Sequence, residues 1–267
     1  MRRHGRSFFF ASRFLPPPVR TDVFTLYAFC RTADDLVDEH VERHGRSVVL
    51  AQLSAWQDWL RARPVAANDS GPTANLAAVI NKYGINGGYL AELLEGCKGD
   101  LASPSFEEFP QLARYCYQMG STVGLAMAPV LGVQSKSGLA AARELGMAMQ
   151  LTNIIRDLRP DVAAGRRYLP AVEVRRFGCQ PEAPERSGDL AGLVRFQVGR
   201  AREWYQAAQT GFDAIESRSR FAIRLSAALY EAILDRVAAQ SYDVYRGRAV
   251  TSLAGKLRVA VRLRLQG

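Results

Sequence analysis

The 267-residue chain reads as an all-α protein forming one domain over residues 1–267, and three observations predict this. Apolar side chains recur at three- and four-residue steps from about residue 16 to residue 243, the period of a helix with one buried face. No stretch before the C-terminal tail alternates as a half-buried strand would. The segments richest in turn formers, RPVAANDSGPT at 63–73 and GCQPEAPERSGD at 178–189, have helices of similar character on both sides, so they read as loops rather than linkers. With 48% apolar residues, a chain of this length can bury a sizeable core.

The opening MRRHGRSFFFASRFLPPP starts basic, but its apolar run is too short for a signal peptide and Arg13 interrupts it, so it reads as mature protein. The first long helix begins at the prolines of positions 16–18, which suit a first turn. It carries Val23, Leu26, Tyr27, Cys30 and Ala33 on one face and ends at Gly45, just after His44. Comparable patterns occupy about 47–62, 73–83, 86–98, 105–131, 136–160, 190–216 and 219–243. Residues 115–135 carry no charge over 21 positions. Gln118, Ser121, Thr122, three glycines and Pro129 dilute that run, which predicts a buried core helix rather than a membrane span. The tail GKLRVAVRLRLQG alternates like a strand.

Thirty-five basic against 26 acidic side chains leave a formal net charge of +9. That balance favours polyanionic partners: nucleic acid, an anionic membrane surface or phosphorylated substrates. Cys30, Cys97, Cys116 and Cys179 fall in no zinc-finger or CxxC spacing, which predicts reduced thiols in a cytoplasmic setting, with no zinc and no disulfide. The chain has no internal repeat and no Gly-rich phosphate loop of the GxxxxGKS type.

The chemistry concentrates in two acidic segments. RTADDLVDEH, residues 31–40, crowds four carboxylates directly behind an apolar helix, with Asp34 and Asp38 four apart, where like charges repel by a few tenths of a kcal/mol on a shared face. In MQLTNIIRDLRPDVAAGRRYLP, residues 149–170, Asn153, Asp157 and Asp161 are also spaced by four, Gln150 precedes by three, and Leu151, Ile154, Ile155 and Leu158 hold the segment in the core. Carboxylates facing one another in a half-buried cleft need cations to stay ionised. Oxygen ligands without neighbouring Cys or His select a hard ion, magnesium or alternatively manganese, which takes phosphate oxygens as its remaining ligands. The implied substrate is a diphosphate, with Arg31 and Arg156 supplying charge at the rims. His40 and His44, four apart, read as cations favouring a helix C-terminus rather than as a metal pair.

Five segments, GRSFFFASRFLP, LYAFCRTADDLVDE, YCYQMGSTVGLAMAPVLG, QLTNIIRDLRPD with GRRYLP, and LYEAILDRVAAQSYDVYRGR, closely resemble the squalene/phytoene synthase family in family order from about residue 5 to 260. The resemblance implies an isoprenoid-synthase-type helical bundle with a central apolar cavity and two aspartate motifs facing across its mouth. It also implies head-to-head (1'-1) condensation of two prenyl diphosphates through a cyclopropyl diphosphate. Asp34, Asp38, Asn153, Asp157 and Asp161 are the implied metal ligands. The family's diphosphate positions point to Arg6, Ser7, Arg31, Gln150, Arg248 and Lys256, with Arg246 a rival for Arg248. Phe8, Tyr27, Tyr115 and Tyr230 are the implied aromatic groups, their faces suited to a carbocation through the ring quadrupole. One departure stands out: Pro160, where the family has an acidic residue, removes an N–H, crowds the carbonyl of Arg156 and threatens to swing Asp161 off the shared face.

Ser12, Gly120 and Gly124 are expected to leave room for long chains, favouring two geranylgeranyl diphosphates giving phytoene over farnesyl-using reactions that give presqualene diphosphate, squalene or dehydrosqualene. The resemblance to phytoene-forming members implies no reductive step, so NADPH is not expected; the chain carries no dinucleotide fingerprint, though some relatives reduce without one. The resemblance implies a helix in the tail despite its strand-like alternation. No obligate protein partner is inferred, but Lys256, Arg258, Arg262 and Arg264 of the tail suit peripheral docking on the cytoplasmic face of an anionic membrane. Two rivals from other classes fit less well. An all-α nucleotide pyrophosphohydrolase needs polar base contacts where this chain has Tyr, Phe, Leu and Met, and a nucleic-acid-binding protein gains nothing from two phosphate-repelling acidic clusters.

Overall fold

The computed structural model describes residues 6–62, 73 and 75–265. The predicted loop at 63–73 thus lies almost wholly outside the described residues, as does the side chain of Arg6. The described residues form helices and connecting turns, with two isolated bridges and no strand.

A short α1 (Arg6–Ser12) precedes α2 (Pro17–Asp35), which has proline at its first positions as the sequence predicts. The helix then widens into a π-helical turn at Leu36–His40 and finishes as α3 (Val41–His44), where Gly45 at φ 81° takes a conformation open chiefly to glycine. α4 (Arg46–Arg61), α5 (Leu76–Tyr83) and α6 (Gly87–Asp100) follow close to their predicted bounds. The apolar stretch predicted at 105–131 becomes α7 (Phe109–Cys116), a second π-helical turn at Tyr117–Ser121, and α8 (Thr122–Met127). No helix of the described residues is long and apolar enough to cross a membrane.

The predicted helix 136–160 is broken in two, α9 (Lys136–Arg156) and α10 (Leu158–Ala163), with Asp157 at φ −103°, ψ 14° between them. Pro160 explains the break. Its ring cannot follow the carbonyl of Arg156 in a continuous helix, but in the first turn of a new helix its missing N–H has no partner to lose. Beyond α11 (Ala171–Arg176), which the sequence reading did not anticipate, come α12 (Leu190–Gln209) and α13 (Ser217–Ala239). The strand-like tail is α14 (Leu253–Leu265). Helix satisfies its backbone groups internally, and the alternation resolves into residues on two flanks of that helix, Ala260 inward and Leu257, Val261 and Leu265 outward.

Two apolar clusters make the core. One joins α2, α4, α5, α6 and the end of α8; the other joins α7, α9, α11, α12 and α13, and Met119 and Leu145 pack against both. The helices on either side of the seam approach unusually closely at one point. A Cβ on Gly120 would lie 2.1 Å from the Gly146 carbonyl oxygen, and one on Gly124 would lie 2.7 Å from that of Ala142. These glycines thus let the backbone of the second π turn and α8 touch α9, a role the sequence did not suggest, while both also line the central cavity. All four cysteines are free and buried.

Candidate active site

A cavity of about 400 Å³ lies in this seam, walled by α2, α6, α8, α9 and α13. Along α9 its lining grades from Asn153 and Gln150 through Met149 to Gly146, Ala142 and Gly138, so one end is polar and the other apolar and small. Phe8, Tyr27, Met119, Met127, Leu131, Phe212, Ile223 and Tyr230 close the rest. The polar end gathers five carboxylates, Asp34, Asp38, Asp100, Asp157 and Asp161, and four guanidinium groups, Arg31, Arg156, Arg166 and Arg248.

Both acidic segments therefore reach the same cavity. Asp34, at the end of α2, and Asp38, in the π turn that follows, are four residues apart and both line it. Arg31 donates to Asp35 and stands 3.7 Å from Asp34. Arg166 donates to Asp38 at 2.8 Å, so the segment after α10 is tied to the π turn after α2. Asp157 is held on two sides: Arg156 donates to both carboxylate oxygens, and Arg248 grips it with Nε and Nη2 at 2.7 and 3.0 Å. Despite Pro160, Asp161 still lines the cavity, because the break at Asp157 is followed at once by helical turns that return it to the same side.

Burial raises the Asp34 carboxyl to about 7 against the pull of Arg31, with Asp38 and Asp100 adding repulsion. Burial, reinforced by Asp157, raises Asp161 to about 7 as well. Asp157 moves the other way: burial opposes ionisation, but the hydrogen bonds from Arg156 and Arg248 outweigh it. The expected metal ligands thus share one polar pocket and offer oxygen donors only. Among the described residues no three acidic, His or Cys groups already converge into a metal cage. Their ion pairs explain this: Asp38 is drawn to Arg166 and Asp157 to Arg156 and Arg248. The His40 and His44 rings lie tilted with centroids 5.6 Å apart at the helix end and do not line the cavity.

The aromatic groups divide by role. Phe8 stacks on Tyr27 with ring centroids 4.5 Å apart, and both, with Tyr230, present surface to the cavity. Burial raises the phenols of Tyr27 and Tyr230, so both stay protonated. Tyr115 lines the cavity but donates its hydroxyl to Asp100 at 2.8 Å. Gln150 and Asn153 lie one helical turn apart in the lining. Two predicted positions are not brought there. Ser7 is half-buried beside Phe8, about 100° around α1 from it, outside the lining. Lys256 is buried where α14 packs on the bundle, sharing that inward face with Ala260. Arg6 opens α1, and its side chain is outside the described residues. The choice between Arg248 and Arg246 resolves geometrically: Arg246 is exposed and 3.6 Å from Asp243.

The family model described as squalene/phytoene synthase matches residues 1–255. The chain belongs to the squalene/phytoene synthase family. It is 31% identical to phytoene synthase 3, chloroplastic, of Zea mays, over 96% of this chain and 62% of that protein. It is 29% identical to the 15-cis-phytoene synthase of Synechococcus elongatus, over 96% of this chain and 87% of that one. The chain spans a little under two thirds of the length of the Zea mays relative. Its fold superposes on the crystal structure of a dehydrosqualene synthase in complex with ligand with a TM-score of 0.87 at 28% identity, covering 99% of this chain and 93% of the other. Squalene/phytoene synthases use divalent metal ions.

In this member of the family two groups at the polar end were not apparent from the sequence. Asp100, the last residue of α6, accepts from the hydroxyls of Tyr115 and Tyr168 at 2.8 and 2.9 Å, and burial raises its carboxyl to about 6 although those bonds oppose it. A carboxylate at a helix C-terminus opposes the dipole, and that anomaly was readable in GCKGD. Arg166 follows Gly165, whose φ of 77° turns the chain after α10. Within GRRYLP nothing local distinguishes Arg166 from Arg167.

Proposed function

We propose that this protein is a divalent-metal-dependent prenyltransferase that joins two prenyl diphosphates head to head. Two geranylgeranyl diphosphates would pass through a cyclopropyl diphosphate to phytoene, without a reductant. One observation carries the reading: Asp34 and Asp38 from one acidic segment, and Asp157 and Asp161 from the other, line the polar end of the same otherwise apolar cavity. The phytoene synthase names of the relatives support the longer substrate.

Four guanidinium groups face five carboxylates there, so the arginines are already balanced by the site's own carboxylates and a polyanionic substrate needs further cations to enter with it. Asp34, Asp38, Asn153, Asp157 and Asp161 would hold magnesium, or manganese, with diphosphate oxygens completing the coordination. Bound there, such an ion would supply Lewis acidity to the departing diphosphate. Arg31, Arg156, Arg166 and Arg248 donate charge-assisted hydrogen bonds to phosphate oxygens and compensate charge as it develops on the leaving group. Gln150 adds an amide at the same wall. Below them the apolar walls exclude water, while the faces of Phe8, Tyr27 and Tyr230 offer a cation about 2 kcal/mol each when desolvated, without a nucleophile to trap it.

A farnesyl-using reaction of the dehydrosqualene type is the second reading, favoured by the likeness to the dehydrosqualene synthase structure. The test is incubation with geranylgeranyl or farnesyl diphosphate, each with and without Mg²⁺ and NADPH, followed by product identification. Phytoene formed with Mg²⁺ and without NADPH is the expected result. A C30 product alone would move the assignment to the second reading, and absence of any coupled product would refute both.

A further inference from the structure

Nine large hydrophobic residues are exposed among the described residues, and their distribution is uneven. Leu253, Leu257, Val261 and Leu265 recur every four residues along α14, exposed by 52% or more, and Val250 leads into them. The opposite flank of the helix, with Ala260, Val259 and Leu263, packs on Phe10, Ala11, Phe221, Leu225 and Leu229 of α1 and α13. Exposed Phe14, just beyond α1, meets Phe221 with ring centroids 5.2 Å apart, and Arg264 of α14 lies 5.3 Å over the same Phe221 ring. Six of the nine therefore belong to α14, its lead-in or this neighbouring aromatic contact.

At about 100° per residue the four α14 side chains sweep an arc of about 120°, and Arg258 and Arg262 border it on the solvent side. Neither arginine has an acidic partner among the described residues, and residues 244–267 contain no Asp or Glu. An unburied apolar stripe edged by cations, on a helix too short to span a bilayer, has the form of an interfacial helix lying in the headgroup layer. A soluble partner would have to offer both an apolar groove and acidic rims, and an anionic bilayer offers both everywhere.

We propose that α14, with Phe14 beside it, is the surface on which this protein docks peripherally onto an anionic lipid bilayer. Leu257, Val261 and Leu265 enter the acyl boundary while Arg258 and Arg262 meet lipid phosphates. The same face overlies the apolar side of the cavity. Ala11, which packs under α14, also lines a small void of about 20 Å³ that shares Phe8, Met127, Leu131, Ile223 and Ser226 with the main cavity wall. Docking would thus bring the apolar end of the cavity to the membrane side. The need for a bilayer rests on the proposed prenyl substrates; the docking surface itself does not.

Co-sedimentation of the full chain, without substrate, with vesicles of phosphatidylcholine alone or with about one third phosphatidylglycerol tests this directly. Binding is expected to the anionic vesicles and to weaken at high salt. Leu257→Gln with Val261→Gln should lower the bound fraction about tenfold or more, and Arg258→Gln with Arg262→Gln should remove the preference for anionic lipid. Both variants should keep their thermal midpoint and their turnover of detergent-dispersed substrate. Undiminished vesicle binding by the first variant, no binding by the parent protein, or self-association that the first variant abolishes would overturn the proposal. Failure of the prenyl coupling assay alone would leave vesicle binding intact, so the two readings fail separately.

Discussion

The Arg166 guanidinium donates to the Asp38 carboxylate at 2.8 Å, joining residues 128 positions apart across the polar end of the cavity. The pair is partly exposed, so its contribution to stability is small, about 1 kcal/mol or less. Its value lies in holding a cation where diphosphate is proposed to bind. Arg166→Gln should leave the thermal midpoint within a few degrees while lowering kcat/KM about a hundredfold. Steady-state kinetics beside thermal unfolding check this, and a variant with full activity would remove Arg166 from the diphosphate site.

Asp34→Asn and Asp157→Asn each remove a charged oxygen proposed to ligate metal while conserving shape. Turnover should fall about a thousandfold or more in each, with helical circular dichroism unchanged. The two should differ in stability. Asp157→Asn strips the partner from both Arg156 and Arg248, whereas Asp34→Asn removes a carboxylate that is costly to ionise. Parent-level turnover in either variant would count against the metal assignment.

The raised carboxyls set a pH dependence of stability for the metal-free protein. Asp34 and Asp161 bind protons more tightly folded, at about 7, than the ordinary value of 3.8 expected unfolded. Between those values the folded state carries more protons, so stability falls as pH rises and is lowest above about 7. Each shift corresponds to about 2 kcal/mol after discounting for partial exposure of the side chain. The metal-free thermal midpoint should therefore fall from pH 5 to pH 8, and Asp34→Asn should flatten part of that slope. A midpoint rising over the interval would contradict the assignment.

The contact of Gly120 with Gly146 leaves no room for a methyl group, since the added Cβ would sit 2.1 Å from a carbonyl oxygen. Gly120→Ala should cost about 3 kcal/mol and lower the midpoint by several degrees. Gly146→Ala should behave alike, and the double variant should cost less than the sum, because a single separation of the helices relieves both clashes. Calorimetry of the three proteins gives the answer.

Tyr27 tests whether the ring or the hydroxyl matters. Its phenol stays protonated through burial, so it cannot serve as a base near neutral pH. Tyr27→Phe should keep kcat within about fivefold, while Tyr27→Ala should lower it about thirtyfold, the equivalent of about 2 kcal/mol of lost ring stabilisation. Equal losses in both would shift the role to the hydroxyl.

The helical period, the prolines opening α2, the glycine closing α3 and the two acidic segments were legible along the chain, because each depends on residues within a turn or two of one another. The linear order of family motifs likewise needs no third dimension. Other features rest on contacts between distant segments. Asp100 becomes a site group only where Tyr115 and Tyr168 meet it, and Arg166 only where α10 ends beside Asp38. Gly120 lines the cavity, but its close seat against Gly146 shows only in three dimensions, and the tail alternates like a strand until α1 and α13 give one flank of α14 something to bury. Local backbone preference acts within the chain's own turns, and packing decides whatever one segment must share with another.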